Sequence, residues 1–255
     1  MLKINVLGCH GGGEKDKGLT SLLINDTILI DAGNVVGSLL LEEQKEISHI
    51  LITHTHLDHI KDIPLLADNF VSCKGHKVNV FGMEKVVSSL KENFFNNVIF
   101  PDFSMIPIND PILHYHTIYP DKPFNLNGLI ITAIELNHTV PNVGYIVENE
   151  DVAFVFISDT YKTDKIFDII NENKKIKFVI IETSFPNQFE HLAEISKHLT
   201  PNLMKEQIEK IKDNNIKIYI YHMKPNYTAK IIDEIDSIET DKDIEFLRDG
   251  MIIEI

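Results

Sequence analysis

The chain has 255 residues, 44% of them hydrophobic, and a net charge of −14. This length and apolar content suit one folded domain spanning residues 1–255. The sequence contains no run of 18 uncharged apolar residues, so no membrane span is predicted. The lack of any Lys/Arg block argues against binding long nucleic acid. The two cysteines are too few for a disulfide framework, which favours a cytoplasmic location.

The first third of the chain alternates predicted strands with turns and helices. Glycines between residues 8 and 13 indicate either a close backbone approach to a ligand or a plain turn, and Asn25-Asp26 predicts a hairpin turn. Apolar periodicity predicts the remaining elements. They are strands over residues 1–7, 21–24, 27–31, 47–52 and 77–81, and helices over about 34–43, 60–69 and 84–95.

Residues 96–125 have little periodic pattern and several prolines, which is typical of a functional wall or lid. Within them, His114 and His116 alternate along a predicted strand, so their side chains share one face. They are either exposed strand histidines or the lining of a pocket. Beyond this stretch the pattern predicts strands over 129–136, 152–157, 176–181 and 216–221, and helices over 163–173, 201–213 and 228–235.

A cluster of metal-ligand residue types follows the strand predicted at 47–52. His54, His56, Asp58 and His59 stand within six positions, in the pattern H-x-H-x-D-H. Borderline divalent ions such as zinc favour this mixture of nitrogen and oxygen ligands. A polar loop with a chance group of histidines is the alternative interpretation.

Four later strands also end in residues that bind metal or move protons. His138, Asp159, Glu182 and His222 each stand at the carboxyl end of a predicted strand. Corresponding strand ends meet at one edge of a sheet, where α/β proteins commonly carry their chemistry. We therefore expect these residues and the histidine cluster to form one site.

Counting the ligands predicts two divalent ions, with zinc expected and Mn²⁺ or Fe²⁺ as alternatives. Two ions suit in-line displacement at phosphorus and lower the pKa of bound water to roughly 7, which supplies hydroxide without a Ser or Cys nucleophile. The ligands are assigned as His54, His56 and His138 for one ion, Asp58, His59 and His222 for the other, and Asp159 as a bridge.

Hydrolysis at phosphorus also needs a proton for the departing alkoxide. Glu182 and His198 are the candidates: the carboxylate would orient the imidazole and keep it protonated. An exposed residue before a helix cap is the alternative for His198, and His191 is interpreted as a surface residue.

A few further residues are assigned to the site or its surroundings. Asp58 is counted as catalytic as well as metal-binding, and Lys224 and Thr139 are candidate substrate contacts. Lys224 has an ordinary loop lysine as its alternative. Cys9 is either a ligand or nucleophile, or a small buried residue, and the second interpretation is preferred because no second thiol is near in sequence.

Taken in order, the cluster at 54–59, His138, Asp159 and His222 resemble the metallo-β-lactamase superfamily over nearly the whole chain. The resemblance implies an α/β fold, an αββα four-layer sandwich with a dinuclear zinc site. Several stretches are most similar to class II cyclic-nucleotide phosphodiesterases: His56–Ile60, Asn137–Pro141 with Gly144-Tyr145, Ser158–Thr160, Glu182–Asn187 and His198–Pro201.

This similarity implies a small anionic substrate, a 3′,5′-cyclic nucleotide (cAMP or cGMP), hydrolysed to the 5′-monophosphate by metal-bound hydroxide, and a possible homodimer. The chain departs from that family after Ile60, where Lys61-Asp62-Ile63-Pro64 replaces small residues.

Ribonuclease Z, which processes the 3′ end of transfer RNA, is the alternative. Its RNA-gripping arm would lie between His138 and Asp159, where this chain has room only for a hairpin. A non-catalytic metal- or cyclic-nucleotide-binding module is a third hypothesis.

Overall fold

A computed structural model describes all 255 residues. Contacts divide the chain into two compact units, and each contains one seven-stranded sheet. The first unit comprises Met1–Cys9, Lys15–Tyr119 and Arg248–Glu254; the second comprises His10–Glu14, Pro120–Leu247 and Ile255. The assignment of residues 1–255 to a single domain stays a prediction.

The strands and helices are numbered in chain order. The strands are β1 (Lys3–Gly8), β2 (Ser21–Ile24), β3 (Ile28–Ile30), β4 (His49–Leu51), β5 (Val78–Gly82), β6 (Leu113–Thr117), β7 (Phe124–Leu126), β8 (Leu129–Glu135), β9 (Val143–Glu148), β10 (Ala153–Ile157), β11 (Ile176–Glu182), β12 (Lys217–Tyr221), β13 (Ile244–Phe246) and β14 (Ile252–Glu254). The helices are α1 (Leu41–Gln44), α2 (Leu57–Ile60), α3 (Ile63–Asn69), α4 (Glu84–Ser89), α5 (Lys165–Glu172), α6 (Glu190–Ser196), α7 (Pro201–Ile208) and α8 (Thr228–Asp236).

The sheet of the first unit has the order β14-β1-β2-β3-β4-β5-β6. Strands β3 to β6 are parallel, whereas β1 pairs antiparallel with both β14 and β2. The predicted hairpin is confirmed, because β2 pairs antiparallel with β3 across the turn. Asn25 and Asp26 have φ values of 46° and 60°, which is the left-handed geometry that two-residue hairpin turns need.

The sheet of the second unit has the order β13-β12-β11-β10-β9-β8-β7. Strands β10 to β13 are parallel, and β9 runs antiparallel to both β10 and β8. It follows that β8 runs in the same direction as β10. All five residues of β10 are buried, which explains its unbroken apolar sequence Ala-Phe-Val-Phe-Ile.

The helix predicted over 34–43 is wrong, because only α1 is helical and the residues before it form turns. The backbone N–H groups of Val35 and Val36 donate to the Asp62 carboxylate at 2.7 and 3.0 Å, which replaces the hydrogen bonds of a helical turn. Asp62 is fully buried. Asp62 therefore stabilises the turn that precedes α1.

Three other helical predictions were correct in type but not in extent. The helix expected over 201–213 ends earlier, as α7 (Pro201–Ile208). The helix expected over 60–69 is divided into α2 and α3 around Lys61 and Asp62. The helix expected over 84–95 is α4, continued by a π-helical turn at Leu90–Phe94. Most strands of five or more residues were predicted, and β9 was expected only as part of the hairpin between His138 and Asp159. The short strands β7, β13 and β14 and the helix α6 were not predicted.

No helix has the length and hydropathy that a membrane crossing requires.

Candidate metal centre and active site

In the first unit, the loop after β4 brings imidazoles together as the sequence predicted. Nε2 of His54 lies 3.1 Å from Nδ1 of His56, and the rings of His54 and His59 are 4.2 Å apart between centroids. At 3.1 Å, Nε2 of His54 and Nδ1 of His56 cannot both carry a proton, so at least one of them presents a lone pair. His54 and His59 are fully buried, so this is not a solvated histidine loop.

Asp31 organises this histidine cluster, although the sequence did not single it out. Its fully buried carboxylate accepts hydrogen bonds from the backbone N–H of Thr53 at 2.9 Å, from Thr53 Oγ1 at 2.8 Å and from Nδ1 of His59 at 2.7 Å. Burial raises the pKa of Asp31, while the charge of His59 and the hydrogen bonds of His59 and Thr53 act in the opposite direction.

The effect of Asp31 extends to both neighbouring ligands. Thr53 Oγ1 also lies 3.0 Å from Nδ1 of His54, so Asp31 orients His59 directly and His54 through Thr53. In both rings Nδ1 is engaged, which leaves Nε2 as the ligating nitrogen. Asp58 lies beside them, with Oδ2 3.9 Å from Nε2 of His59.

In the second unit, four strands deliver the predicted residues to one edge of the sheet. Strands β8, β10, β11 and β12 run in the same direction, so their carboxyl ends share that edge. His138 follows β8, Asp159 follows β10, Glu182 ends β11 and His222 follows β12. Oδ1 of Asp159 lies 3.4 Å from Nε2 of His222, so these two predicted ligands do meet.

His138 is held through its other nitrogen. Its Nδ1 lies 3.1 Å from the carbonyl oxygen of Lys197, which again leaves Nε2 as the ligating atom. Lys197 ends α6 in the left-handed conformation, with φ of 59°. A non-glycine residue in this region is strained, and such strain is common beside functional sites.

His222 also has a left-handed backbone, with φ of 63°. Gly11 packs against it: a Cβ at position 11 would clash with the His222 carbonyl oxygen and lie 2.7 Å from its Nδ1. Gly11 therefore allows the backbone to come close to the His222 side chain. The predicted approach of this glycine segment to a bound ligand stays a prediction.

Glu182 and His198 form a buried pair, with Oε1 2.8 Å from Nδ1, and the fully buried carboxylate also accepts the backbone N–H of Thr160 at 3.2 Å. Burial acts to lower the pKa of His198, but the charge and hydrogen bond of Glu182 outweigh it, and the pKa is raised. His198 is only 7% exposed, so the alternative of an exposed residue before a helix is wrong. The same imidazole has a nitrogen within 4.8 Å of ligand atoms of Asp159 and His222.

These donor sets fit a divalent metal. Four of the candidate imidazoles, His54, His59, His138 and His222, are each held through Nδ1 by a hydroxyl, a carboxylate or a carbonyl oxygen. Metal-binding histidines show this arrangement, because a hydrogen bond on one nitrogen fixes the tautomer that presents the other. The assignment of individual residues to each ion stays a prediction.

The remaining assigned residues have varied surroundings. Lys224 donates to the Gly11 carbonyl oxygen at 3.0 Å, and its ammonium lies 5.4 Å from the centroid of the Phe185 ring. Thr139 is exposed beyond β8, and His191 is exposed on α6 as predicted. Cys9 is buried, which agrees with its interpretation as a small core residue.

The two histidines of the poorly patterned stretch lie on β6. His114 is half-buried and His116 is exposed, and Nε2 of His116 lies 2.8 Å from Asn79 Oδ1. They therefore occupy the strand predicted for them.

Buried imidazoles and carboxylates gathered at strand ends in this way are the donor set of a divalent-metal protein. A family model described as the beta-lactamase superfamily domain matches residues 26–237, and the chain belongs to that superfamily. Divalent-metal binding and an α/β fold of the metallo-β-lactamase type, the αββα class predicted from the sequence, follow from this membership.

Two curated relatives are similar to this chain at low identity. The 3′,5′-cyclic-nucleotide phosphodiesterase of Aliivibrio fischeri is 23% identical over 251 residues, covering 80% of this chain and 74% of that protein. A ribonuclease Z of Metallosphaera sedula is 24% identical over 160 residues, covering 60% of this chain and 50% of the relative. The chain therefore spans about half the length of that ribonuclease.

Solved structures share the fold over the full length. Unliganded yeast PDE1 aligns with a TM-score of 0.84 at 15% identity, over 98% of each chain. The metallo-beta-lactamase fold protein YhfI from Bacillus subtilis aligns with a TM-score of 0.80 at 17% identity, over 100% of each chain.

Proposed function

We propose that this protein is a dinuclear metal-dependent phosphodiesterase that hydrolyses 3′,5′-cyclic nucleotides, cAMP or cGMP, to 5′-monophosphates. The observation that carries this proposal is the buried Glu182–His198 pair, with 2.8 Å between Oε1 and Nδ1, beside the candidate ligands Asp159 and His222. A departing alkoxide needs a proton, and a buried imidazole oriented by a carboxylate can supply it. The phosphodiesterase relative supports the same reaction class.

The proposed ligands are those assigned from the sequence. In this proposal His54, His56 and His138 would hold one ion, Asp58, His59 and His222 would hold a second, and Asp159 would contribute to both, with zinc as the proposed metal and manganese or iron as alternatives. When bound, the ions activate water and stabilise the charge that develops on the phosphoryl oxygens.

In the proposed reaction, His198 protonates the oxygen that leaves phosphorus. Glu182 fixes the imidazole through Nδ1, so the proton is delivered from Nε2, and the carboxylate stabilises the imidazolium before transfer. Burial of both side chains keeps bulk water from replacing this donor. Asp58 is proposed to bind metal and also to orient the attacking water.

A nucleotide substrate is supported by a row of aromatic rings in the second unit. Between ring centroids, Phe185 lies 5.9 Å from His198 and 6.2 Å from Tyr227. Tyr227 in turn lies 5.2 Å from Phe189. Phe185 is buried, whereas Tyr227 and Phe189 are half-buried. Half-buried aromatic rings stack nucleobases without needing a fixed set of hydrogen bonds.

Lys224 is the cation beside this row, and we propose that it contacts the phosphate, with Thr139 as a second substrate contact. A single lysine suits a small anion, while a polymer needs a broader basic surface than a chain of net charge −14 offers. No long nucleic acid and no membrane are therefore proposed as partners, and a homodimer is the proposed assembly.

Two other functions have some support. The ribonuclease Z relatives favour transfer RNA 3′ processing as an alternative, although the acidic charge opposes it. A non-catalytic metal- or cyclic-nucleotide-binding module is the other alternative, and the Glu182–His198 pair opposes it because binding alone needs no proton donor.

The deciding experiment uses protein loaded with zinc or manganese and four substrates: cAMP, cGMP, bis(p-nitrophenyl) phosphate and a precursor transfer RNA. We expect turnover of a cyclic nucleotide, and its loss in Asp58→Ala. Cleavage of the transfer RNA alone would replace the proposal with the ribonuclease function. Binding of cyclic nucleotide without turnover would favour the non-catalytic module.

A further inference from the structure

Ser184 lies two residues beyond the end of β11 and is fully buried. Its hydroxyl oxygen contacts four polar atoms: Glu182 Oε2 at 2.8 Å, His222 Nδ1 at 3.0 Å, His198 Nδ1 at 3.2 Å and the His222 carbonyl oxygen at 3.2 Å. One small side chain thus connects a candidate metal ligand with the proposed proton donor and its carboxylate.

The hydrogen-bonding capacity of a hydroxyl decides how these contacts are arranged. A serine has one proton to donate and two lone pairs to accept with. Two of the contacts can only accept, and of these Glu182 Oε2 is nearer than the His222 carbonyl oxygen and belongs to a carboxylate, so it takes the proton. The lone pairs then face the two ring nitrogens, and a ring nitrogen that meets a lone pair must carry hydrogen.

For His222 this arrangement fixes the tautomer. With hydrogen on Nδ1, the lone pair of the neutral ring is on Nε2, which is the nitrogen 3.4 Å from Oδ1 of Asp159. Gly11 bounds the same Nδ1, since a Cβ there would come within 2.7 Å of it. Because position 11 is a glycine, His222 Nδ1 has room beside it and contacts the Ser184 hydroxyl.

We propose that Ser184 is a positioning residue that holds His222 in the Nδ1–H tautomer and so presents its Nε2 to a divalent ion. Its role for His222 matches that of Thr53 for His54, with Glu182 in the place of Asp31. Glu182 then serves two imidazoles: His198 directly through Oε1, and His222 through the serine hydroxyl on Oε2.

This role rests on the proposed function in that His222 must bind a metal ion, but it does not depend on which substrate is hydrolysed. The competing explanation is purely structural: the hydroxyl only satisfies a buried carboxylate. Metal affinity and the protonation of Nδ1 distinguish the two, because a purely structural hydroxyl would change stability and leave both of these unchanged.

The experiment compares Ser184→Ala and Ser184→Thr with wild type. Ser158→Ala is the matched control, because Ser158 is also fully buried at the end of a neighbouring strand, β10, and its hydroxyl has no hydrogen-bond partner. Zinc affinity is measured by competition with a chromophoric chelator, without substrate. We expect zinc binding to weaken by about 10–100-fold in Ser184→Ala. Recovery is expected in Ser184→Thr, which keeps the hydroxyl, and no change is expected in Ser158→Ala.

A second measurement uses the wild-type protein, so it does not depend on the folding of a variant. In zinc-loaded wild-type protein labelled with ¹⁵N-histidine, we expect long-range ¹H–¹⁵N correlations to place the ring hydrogen of His222 on Nδ1. Hydrogen on Nε2, or wild-type zinc affinity in Ser184→Ala, would overturn the assigned role. If zinc affinity falls as expected but no phosphodiester is turned over, the role of Ser184 holds and the proposed reaction fails.

Discussion

Nδ1 of His59 lies 2.7 Å from Oδ2 of Asp31, and neither side chain is exposed to solvent. Asp31 also has a left-handed backbone, with φ of 57°. A buried carboxylate in a strained conformation is unfavourable in isolation. Its hydrogen bonds to Thr53 and His59 offset this, so the aspartate and the histidine cluster depend on each other.

Replacing Asp31 by asparagine tests this dependence, because asparagine tolerates the left-handed backbone but removes the charge. We expect zinc affinity to fall by about 10–100-fold and the free energy of unfolding to fall by about 1–3 kcal/mol. Chelator competition and urea denaturation measure the two effects.

Asp26→Asn is the matched control for that substitution. Asp26 also has a left-handed backbone, with φ of 60°, but its carboxylate is paired at the surface with Lys3 Nζ at 2.9 Å. Such exposed pairs contribute little, so the control should bind zinc and unfold like wild type. Equal behaviour of the two variants would contradict the orienting role of Asp31.

Gly11→Ala should displace His222. The added methyl group would clash with the His222 carbonyl oxygen and come within 2.7 Å of its Nδ1, in a site where the ring also contacts Ser184. We expect zinc affinity to weaken by at least about 10-fold. Gly13→Ala is the control, because a Cβ there meets nothing within 4 Å. A loss of affinity in both variants would point to loop flexibility instead of contact.

His198→Ala should reduce the rate of phosphodiester hydrolysis by about 10²–10⁴-fold while zinc content is kept. The reason is that the leaving oxygen loses its proton donor, whereas the other candidate ligands stay in place. His191→Ala serves as control, since that imidazole is exposed on α6. Bound zinc that falls along with the rate would instead make His198 a metal ligand, as its approach to Asp159 and His222 permits.

The Cys9 thiol should resist alkylation in the native protein. Burial raises its pKa well above the usual range, and the Asp249 carboxylate, 3.2 Å from Sγ, raises it further. Because the thiolate is the reactive form, iodoacetamide at pH 9 should modify the half-buried Cys73 first and Cys9 only after unfolding. Mass spectrometry of peptides from native and urea-treated protein measures this order.

The same shift has a consequence for stability. A thiol whose pKa is raised by folding stabilises the folded state fully at pH values below its pKa in the unfolded chain, roughly 8.5. As the pH rises above that value the unfolded state ionises, and stability is lost. Cys9→Ala should therefore show a weaker decline in the free energy of unfolding between pH 8 and 10 than wild type; an identical decline would contradict the shift.

Residues at strand ends were predictable because a local pattern determines them. His138, Asp159, Glu182 and His222 each follow an apolar run, and parallel strands bring such ends together. Asp31 and Ser184 were not predicted, since their partners lie 28 and 38 residues away in sequence. The hydrogen bonds of Asp31 to His59 and of Ser184 to His222 exist only once separate segments meet, and no local pattern encodes that meeting.

The helix expected over 34–43 failed for a related reason. Its apolar spacing suits a helix, but the carboxylate of Asp62 takes the N–H groups of Val35 and Val36 and stabilises a turn instead. Asp62 lies 27 residues from Val35, so a long-range hydrogen bond overrides the local preference.

The pairing of β1 with β14 affects how this chain folds during synthesis. Asp249, in the turn before β14, accepts the backbone N–H of Cys9, and these residues are 240 positions apart. At ribosomal speeds of about 5–20 residues per second, roughly 12–48 seconds separate their emergence. During that interval the edge of β1 that later pairs with β14 is uncovered, and an uncovered strand edge is open to pairing with other chains.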